Sequence, residues 1–145
     1  MAAASYFNNT VQALGIGNMN LNSDTIKVML TNTAPVATNS NYSDVSSTEL
    51  ANGNGYTTGG ATVGSTSYTL STATSTLVGN AVTFTASGSM GPFRYAIAYD
   101  STPTNKTLLL SWDYGSSITL NASETFTITW AGNTPTNAIL QITHA

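Results

Sequence analysis

The stretch Thr125-Phe126-Thr127-Ile128-Thr129-Trp130 alternates threonine with a large apolar residue without a break. A period of two puts all three large side chains on one face of a β-strand, whereas a helix would scatter them around its axis. The same alternation recurs along the chain. Ile26, Val28 and Leu30 oppose Thr25 and Lys27, and Val82 and Phe84 oppose Thr83 and Thr85. Phe93, Tyr95, Ile97 and Tyr99 oppose Arg94, Ala96 and Ala98, and Leu108, Leu110 and Trp112 form a further face. Residues 118–120 and 138–143 are shorter candidates. Tyr56 to Val63, interrupted by Gly59-Gly60, and Tyr68 to Leu70, diluted by Ser and Thr, are weaker ones. Turn residues punctuate these runs at Asn52 to Gly55, Gly79-Asn80, Gly88 to Pro92, Thr102 to Asn105 and Gly132 to Pro135. Many short strands with frequent turns predict an all-β fold, an antiparallel β-sandwich of jelly-roll or immunoglobulin-like connectivity.

Two segments break the pattern. Ser43 to Leu50 opens on two N-cap residues and ends before Gly53, which predicts a short helix near 43–50. Residues 1–23 lack strand alternation; within them Ala2 to Leu14 reads as a helix or an extended arm, and the polar Asn8-Asn9-Thr10 interruption speaks against a tightly packed helix. They are expected to form an N-terminal arm preceding a β-sandwich domain over 24–145.

Charge excludes several functions. Only 6% of the 145 residues are charged, against about 25% in an ordinary domain. Thr, Ser and Asn (26, 17 and 15) take up the difference. Three basic residues, Lys27, Arg94 and Lys106, cannot make the clustered patch that nucleic acid requires. With 41% hydrophobic content the chain has the means to bury a core, which argues against disorder. The absence of cysteine removes disulfides, thiol nucleophiles and Cys-based zinc sites. No apolar run approaches the ~20 residues of a membrane-spanning helix, and the N-terminus lacks the pattern of a secretory signal. No membrane partner is expected, and folding is expected in cytoplasm.

The inventory for catalysis is thin. His144, the single histidine, stands next to the C-terminal residue, and no G-x-S-x-G elbow occurs. Asp113 and Glu124 are the natural pair for a glycosidase, but both read as turn carboxylates that cap backbone N–H groups. Gly15-Ile16-Gly17 lacks the context of a phosphate cradle. The six carboxylates are spread over a hundred residues without a D-x-D-x-D-G loop. Neither catalytic residues, a metal site nor a cofactor is expected; a calcium ion held partly by backbone and Asn carbonyls has no support in the sequence. Tyr68, Tyr95, Tyr99, Trp112, Tyr114 and Trp130 suggest either a sugar-stacking platform or core packing. Tyr6-Phe7 is distinct, because two adjacent aromatics in a small, polar segment expose a ring unless the segment docks. The expected partner contacts are therefore Ser5, Tyr6, Phe7, Asn8 and Leu14.

Three blocks carry a resemblance. They are Leu14 to Gly17 followed by Asp24 to Leu30; Tyr42 to Ser46 leading into Gly53-Asn-Gly-Tyr-Thr-Thr-Gly-Gly-Ala-Thr-Val63; and Arg94 to Tyr99, through Leu109 to Gly115, to Glu124 to Trp130. Together they resemble a family of small virion structural proteins of tailed bacteriophages, over about residues 5–142. Two positions depart from the family pattern. Thr38 to Asn41 replaces an Asp-x-His, so no ligand role carries over there, and Ala122-Ser123 replaces a turn glycine. The resemblance implies a noncatalytic capsid decoration (cement) protein located in the virion. Its implied partners are the major capsid protein and copies of itself, as a homo-oligomer with a trimer favoured. The alternatives are a tail or fibre component and a carbohydrate-binding adhesin module.

Overall fold

The computed structural model describes residues 4–130 and 138–144. Its elements are β1 (Ser5–Tyr6), α1 (Thr10–Gly15), β2 (Ile26–Thr31), β3 (Ala61–Thr62), β4 (Ser67–Ser71), β5 (Thr74–Val78), β6 (Val82–Thr85), β7 (Met90–Asp100), β8 (Leu108–Leu120), β9 (Thr125–Ile128) and β10 (Ala138–Thr143). They form three antiparallel sheets of order β1-β8-β7-β2-β3, β10-β5-β4 and β6-β9. The expected all-β class therefore holds. The turn signals at Gly132 to Pro135 lie outside the described residues.

Both faces of the five-stranded sheet are apolar. One carries Ile26, Val28, Leu30, Ala96, Ala98 and Trp112 into the main core, which it shares with Leu77, Phe84, Phe126, Ile128 and Leu140 of the smaller sheets. Aromatic contacts knit this layer: Phe93 meets Phe126 edge-on at 5.0 Å, and Tyr56 stacks on Phe84 at 5.8 Å. The other face carries Met29, Ile97, Tyr99 and Leu108 into a smaller core closed by Phe7 and Val45.

The β7–β8 ladder does not keep one register. From Tyr95↔Asp113 to Phe93↔Ile118, β8 advances from 113 to 118 while β7 covers only 95 to 93. Tyr114 to Ser117, four residues against Arg94 alone on β7, bulge outward and are exposed. Asp113-Tyr114-Gly115 is thus an irregularity inside one long strand, not the strand-ending turn the sequence suggested. At the same irregularity between Phe93 and Tyr95 the two cores part: Phe93 joins the main core while Ile97 and Tyr99, in the same alternation, belong to the smaller one.

The helix expected near 43–50 is replaced by two 3₁₀ turns, Tyr42–Asp44 and Ser46–Thr48. The Asp44 carboxylate accepts the Ser40 and Asn41 N–H groups at 2.8 and 3.0 Å, tightening the first turn. The second ends because Leu50 donates its N–H to Leu30 at 2.8 Å, pulling the chain onto the edge of the sheet. The α-helix of the described residues is α1, inside the supposed arm. It closes on Gly17 (φ +78°), with Asn18 N–H bonded to Ala13 C=O at 2.9 Å, a Schellman ending rather than a phosphate cradle.

The break expected at residue 23 has no counterpart in the packing. Ser5 and Tyr6 pair with Ser111 and Leu110, and Thr10 Oγ1 donates to Leu109 C=O at 2.9 Å. Phe7, Ala13, Met19 and Leu21 are all buried, so apolar burial binds residues 4–23 to the body of their own chain.

One carboxylate ties the loops to the sheet. Glu49 accepts the Tyr56 hydroxyl at 2.6 Å, the Gly59 N–H at 2.7 Å and the Tyr42 hydroxyl. Tyr56 Oη in turn accepts the Leu30 N–H at 3.1 Å, and Tyr99 donates to Gly59 C=O at 2.7 Å while stacking on Tyr42. Burial and the neighbouring carboxylate raise the pKa of Tyr42 and of Tyr56, and Tyr99 is pushed up to about 12 by burial first and then Glu49. Gly60 completes this corner: at φ +73° a Cβ would lie 1.9 Å from Val28 C=O, so only glycine fits. Glu49→Ala strands two hydroxyls and an N–H and should lower stability by about 2–4 kcal/mol in denaturant melts, without a new folded state.

Asp100, at the end of β7, is fully buried. Burial, and then the Asp24 carboxylate beside it, push its pKa up to about 7. The native state therefore holds a proton that the unfolded chain releases near the ordinary value of 3.8. The stability this proton contributes is full below about pH 4 and is lost as pH rises through about 7. In metal-free buffer Asp100→Asn should flatten that part of the pH–stability profile and melt higher than the parent at pH 8.

Candidate partner-binding groove

The backbone of β1 places Ser5 and Tyr6 on the edge of β8, and the chain then runs under the loop 34–37, to which Asn8 donates its N–H (Ala37 C=O, 2.9 Å). That loop is fastened by two bonds between Val36 and Asn39: Val36 N–H to Asn39 Oδ1 and Asn39 N–H to Val36 C=O, each 2.9 Å. Between segment and loop lies a groove of about 450 Å³. Ser5, Tyr6, Phe7 and residues 34–37 form its sides, with Tyr95, Ser111 and Asp113 of the sheet.

Its rim is neutral in sum. Arg94 grips Asp113 with two parallel bonds of 2.7 and 2.8 Å, both side chains 37% exposed. This bond, reinforced by the Gly115 N–H, holds the Asp113 carboxyl below its usual range, and it raises the Arg94 guanidinium. Arg94 also lies over the Tyr95 ring at 5.3 Å. A groove with a self-paired charge favours apolar and hydrogen-bonding partners over ionic ones.

The five expected contact residues divide. Ser5, Tyr6 and Asn8 are exposed; Tyr6 is 47% exposed, with its hydroxyl on Gln141 C=O at 3.2 Å. Phe7 is only 3% exposed and its ring closes the smaller core, so it supports the groove from behind. Leu14 is half-buried against the main core. Sequence reasoning missed Val36, which is 57% exposed on the opposite side. The signal was present: Ala34-Pro35-Val36-Ala37 is an apolar run that proline and the lack of alternation disqualify as a strand. Val11 and Ile16 are likewise exposed apolar residues of the N-terminal segment.

The other candidates take structural places. Asp113 is bound to Arg94, and Glu124 folds back onto the Asn121 N–H at 2.6 Å beyond the end of β8. Trp112 and Trp130 pack on each other at 5.1 Å, and Trp130 Nε1 donates to Asn80 C=O at 2.9 Å. Tyr99, Trp112 and Trp130 are all buried, so the six aromatics make no common exposed platform. His144 is exposed, with its backbone N–H on Ala73 C=O. Among the described residues no group of three or more His, Cys, Asp or Glu side chains converges on a metal position. Nor, among them, is any helix long and apolar enough to cross a membrane.

Compared with known family models, curated proteins and solved structures, the chain matches none. Burial of both indoles leads to a direct check: native emission should be blue-shifted, and iodide quenching several-fold weaker than in denaturant. Quenching equal in the two states would contradict the placement of Trp112 and Trp130.

Proposed function

We propose that this chain is a noncatalytic structural protein of a tailed-phage virion, a decoration protein that binds across subunits of the capsid. The observation that carries the binding face is the groove, where Tyr6 and Val36 stand exposed on opposite sides of a neutral floor. Apolar side chains with hydroxyl and amide neighbours bury against a partner without the cost of desolvating charge. The virion setting comes from the resemblance of the three sequence blocks. The low charge of the chain supports it, since a surface of Thr, Ser and Asn suits permanent neighbours better than free dispersal. In this reading the five-stranded sheet and the two smaller ones are the halves of a sandwich standing on the capsid, and repeated copies add their buried area around the shell.

Deleting residues 2–20 would test little, because Phe7, Ala13 and Met19 belong to the protein's own cores and the truncated body would fail to pack. Point variants at the groove are the sound test. In co-sedimentation with undecorated phage heads, the parent chain should bind, and Tyr6→Ala with Val36→Asp should weaken binding at least tenfold at unchanged melting temperature. Equal binding by parent and variant would overturn the assigned face. Binding to tails or fibres in place of heads would overturn the decoration role.

A further inference from the structure

The last residue of β7 and the approach to β2 bring two carboxylates together. Asp100 is 0% exposed; its Oδ1 accepts the Thr102 N–H at 3.0 Å, but its buried Oδ2 has no hydrogen-bond donor. Its neighbour is Asp24, whose Oδ2 accepts the Asn20 N–H at 2.7 Å; the two carboxyls are bonded through a single shared proton, and once that proton is lost two negative charges face each other. A buried acceptor facing a second acid is the reverse of what folding favours, since buried carboxylates are ordinarily paired with a base. The chain has three bases to offer, and none acts on Asp100. Arg94 is engaged by Asp113, Lys106 lies over the Tyr42 ring, and Lys27 pairs across the ladder with Tyr99.

The loops around the pair are rich in oxygen and rigidly joined. Thr25 N–H bonds Thr102 Oγ1 at 2.8 Å, and the Ser101 N–H and hydroxyl both bond Thr25 C=O, at 2.9 and 2.8 Å. Asn20 turns its side-chain oxygen onto the Asn22 N–H at 3.2 Å. Two carboxylates on loops rich in carbonyl, amide and hydroxyl oxygens, with no His or Cys in residues 20–25 or 100–102, make a hard-ligand environment.

We propose that Asp24 and Asp100 form a calcium-binding site that fastens the segment leading into β2 to the end of β7. Calcium suits it better than magnesium, because it accepts irregular oxygen shells completed by water, whereas magnesium demands a near-ideal octahedron. With two carboxylates the affinity falls in the weak class, with half-saturation at about 0.1–1 mM. The site is independent of the groove and of the capsid reading.

The test uses the full chain at pH 7.5, stripped with chelator and melted in 10 mM CaCl₂, in 10 mM MgCl₂ and in NaCl of equal ionic strength. Calcium should raise the melting temperature by about 5 °C over NaCl, with magnesium giving less than half of that. Asp100→Asn and, separately, Asp24→Asn should each abolish the increment. Asp24 is half-buried on the loop before β2, so its variant checks the site independently of the buried Asp100→Asn. Terbium should bind the parent with sensitised emission that calcium displaces, and should lose that emission in Asp24→Asn. Equal melting in calcium and NaCl, or a calcium increment that survives Asp24→Asn, overturns the site.

Discussion

The five-stranded sheet has to be covered on both faces, and the rest of the molecule is arranged by that need. Its main face is met by the two smaller sheets, whose Leu77, Phe84, Phe126 and Leu140 reach across the layer. Among the described residues no sheet meets its second face; single residues from irregular chain, Phe7 and Val45, are drawn in over Met29, Ile97 and Leu108. Irregular backbone over a core carries polar groups that need partners. Glu49 supplies them, binding Tyr42, Tyr56 and the Gly59 N–H at the boundary between the two cores.

That arrangement also makes the groove. Phe7 is anchored in the smaller core, and its neighbours in sequence are thereby held at the surface, Ser5 and Tyr6 on the edge of β8 and Asn8 against the loop 34–37. Burial of one aromatic and exposure of the other follow from strand alternation, since adjacent side chains of an extended segment point opposite ways. The Arg94–Asp113 pair keeps the rim neutral. The groove thus carries no unpaired charge with which to steer an ionic partner.

Asp24 and Asp100 stand apart from both. Two acids meet there without a base, in a chain that has few bases to give. Low overall charge, which limits ionic contacts elsewhere, here leaves a negative pair whose compensation has to come from outside the chain, as a proton or as a cation.

Alternation in the sequence determined that the chain is all-β and antiparallel. It located β2, β6, β7, the start of β8 and β9, because a period of two is a local property of side-chain direction. It also marked Tyr6-Phe7 as a pair that could not both be solvated cheaply. The rest depended on residues far apart in the chain. The bulge at Tyr114 to Ser117 arises from pairing between β7 and β8, and it lies where Phe93 and Ile97 part to different cores. The 3₁₀ turns at 42–48 replaced a helix because Leu50 bonds Leu30 across the sheet edge. Residues 4–23 became part of the body because apolar area on Phe7, Ala13, Met19 and Leu21 found cover there. Val36 became part of the groove, and Asp100 a neighbour of Asp24, only on folding. Local periodicity sets which way a side chain points; what it meets is decided by the register and burial of the whole chain.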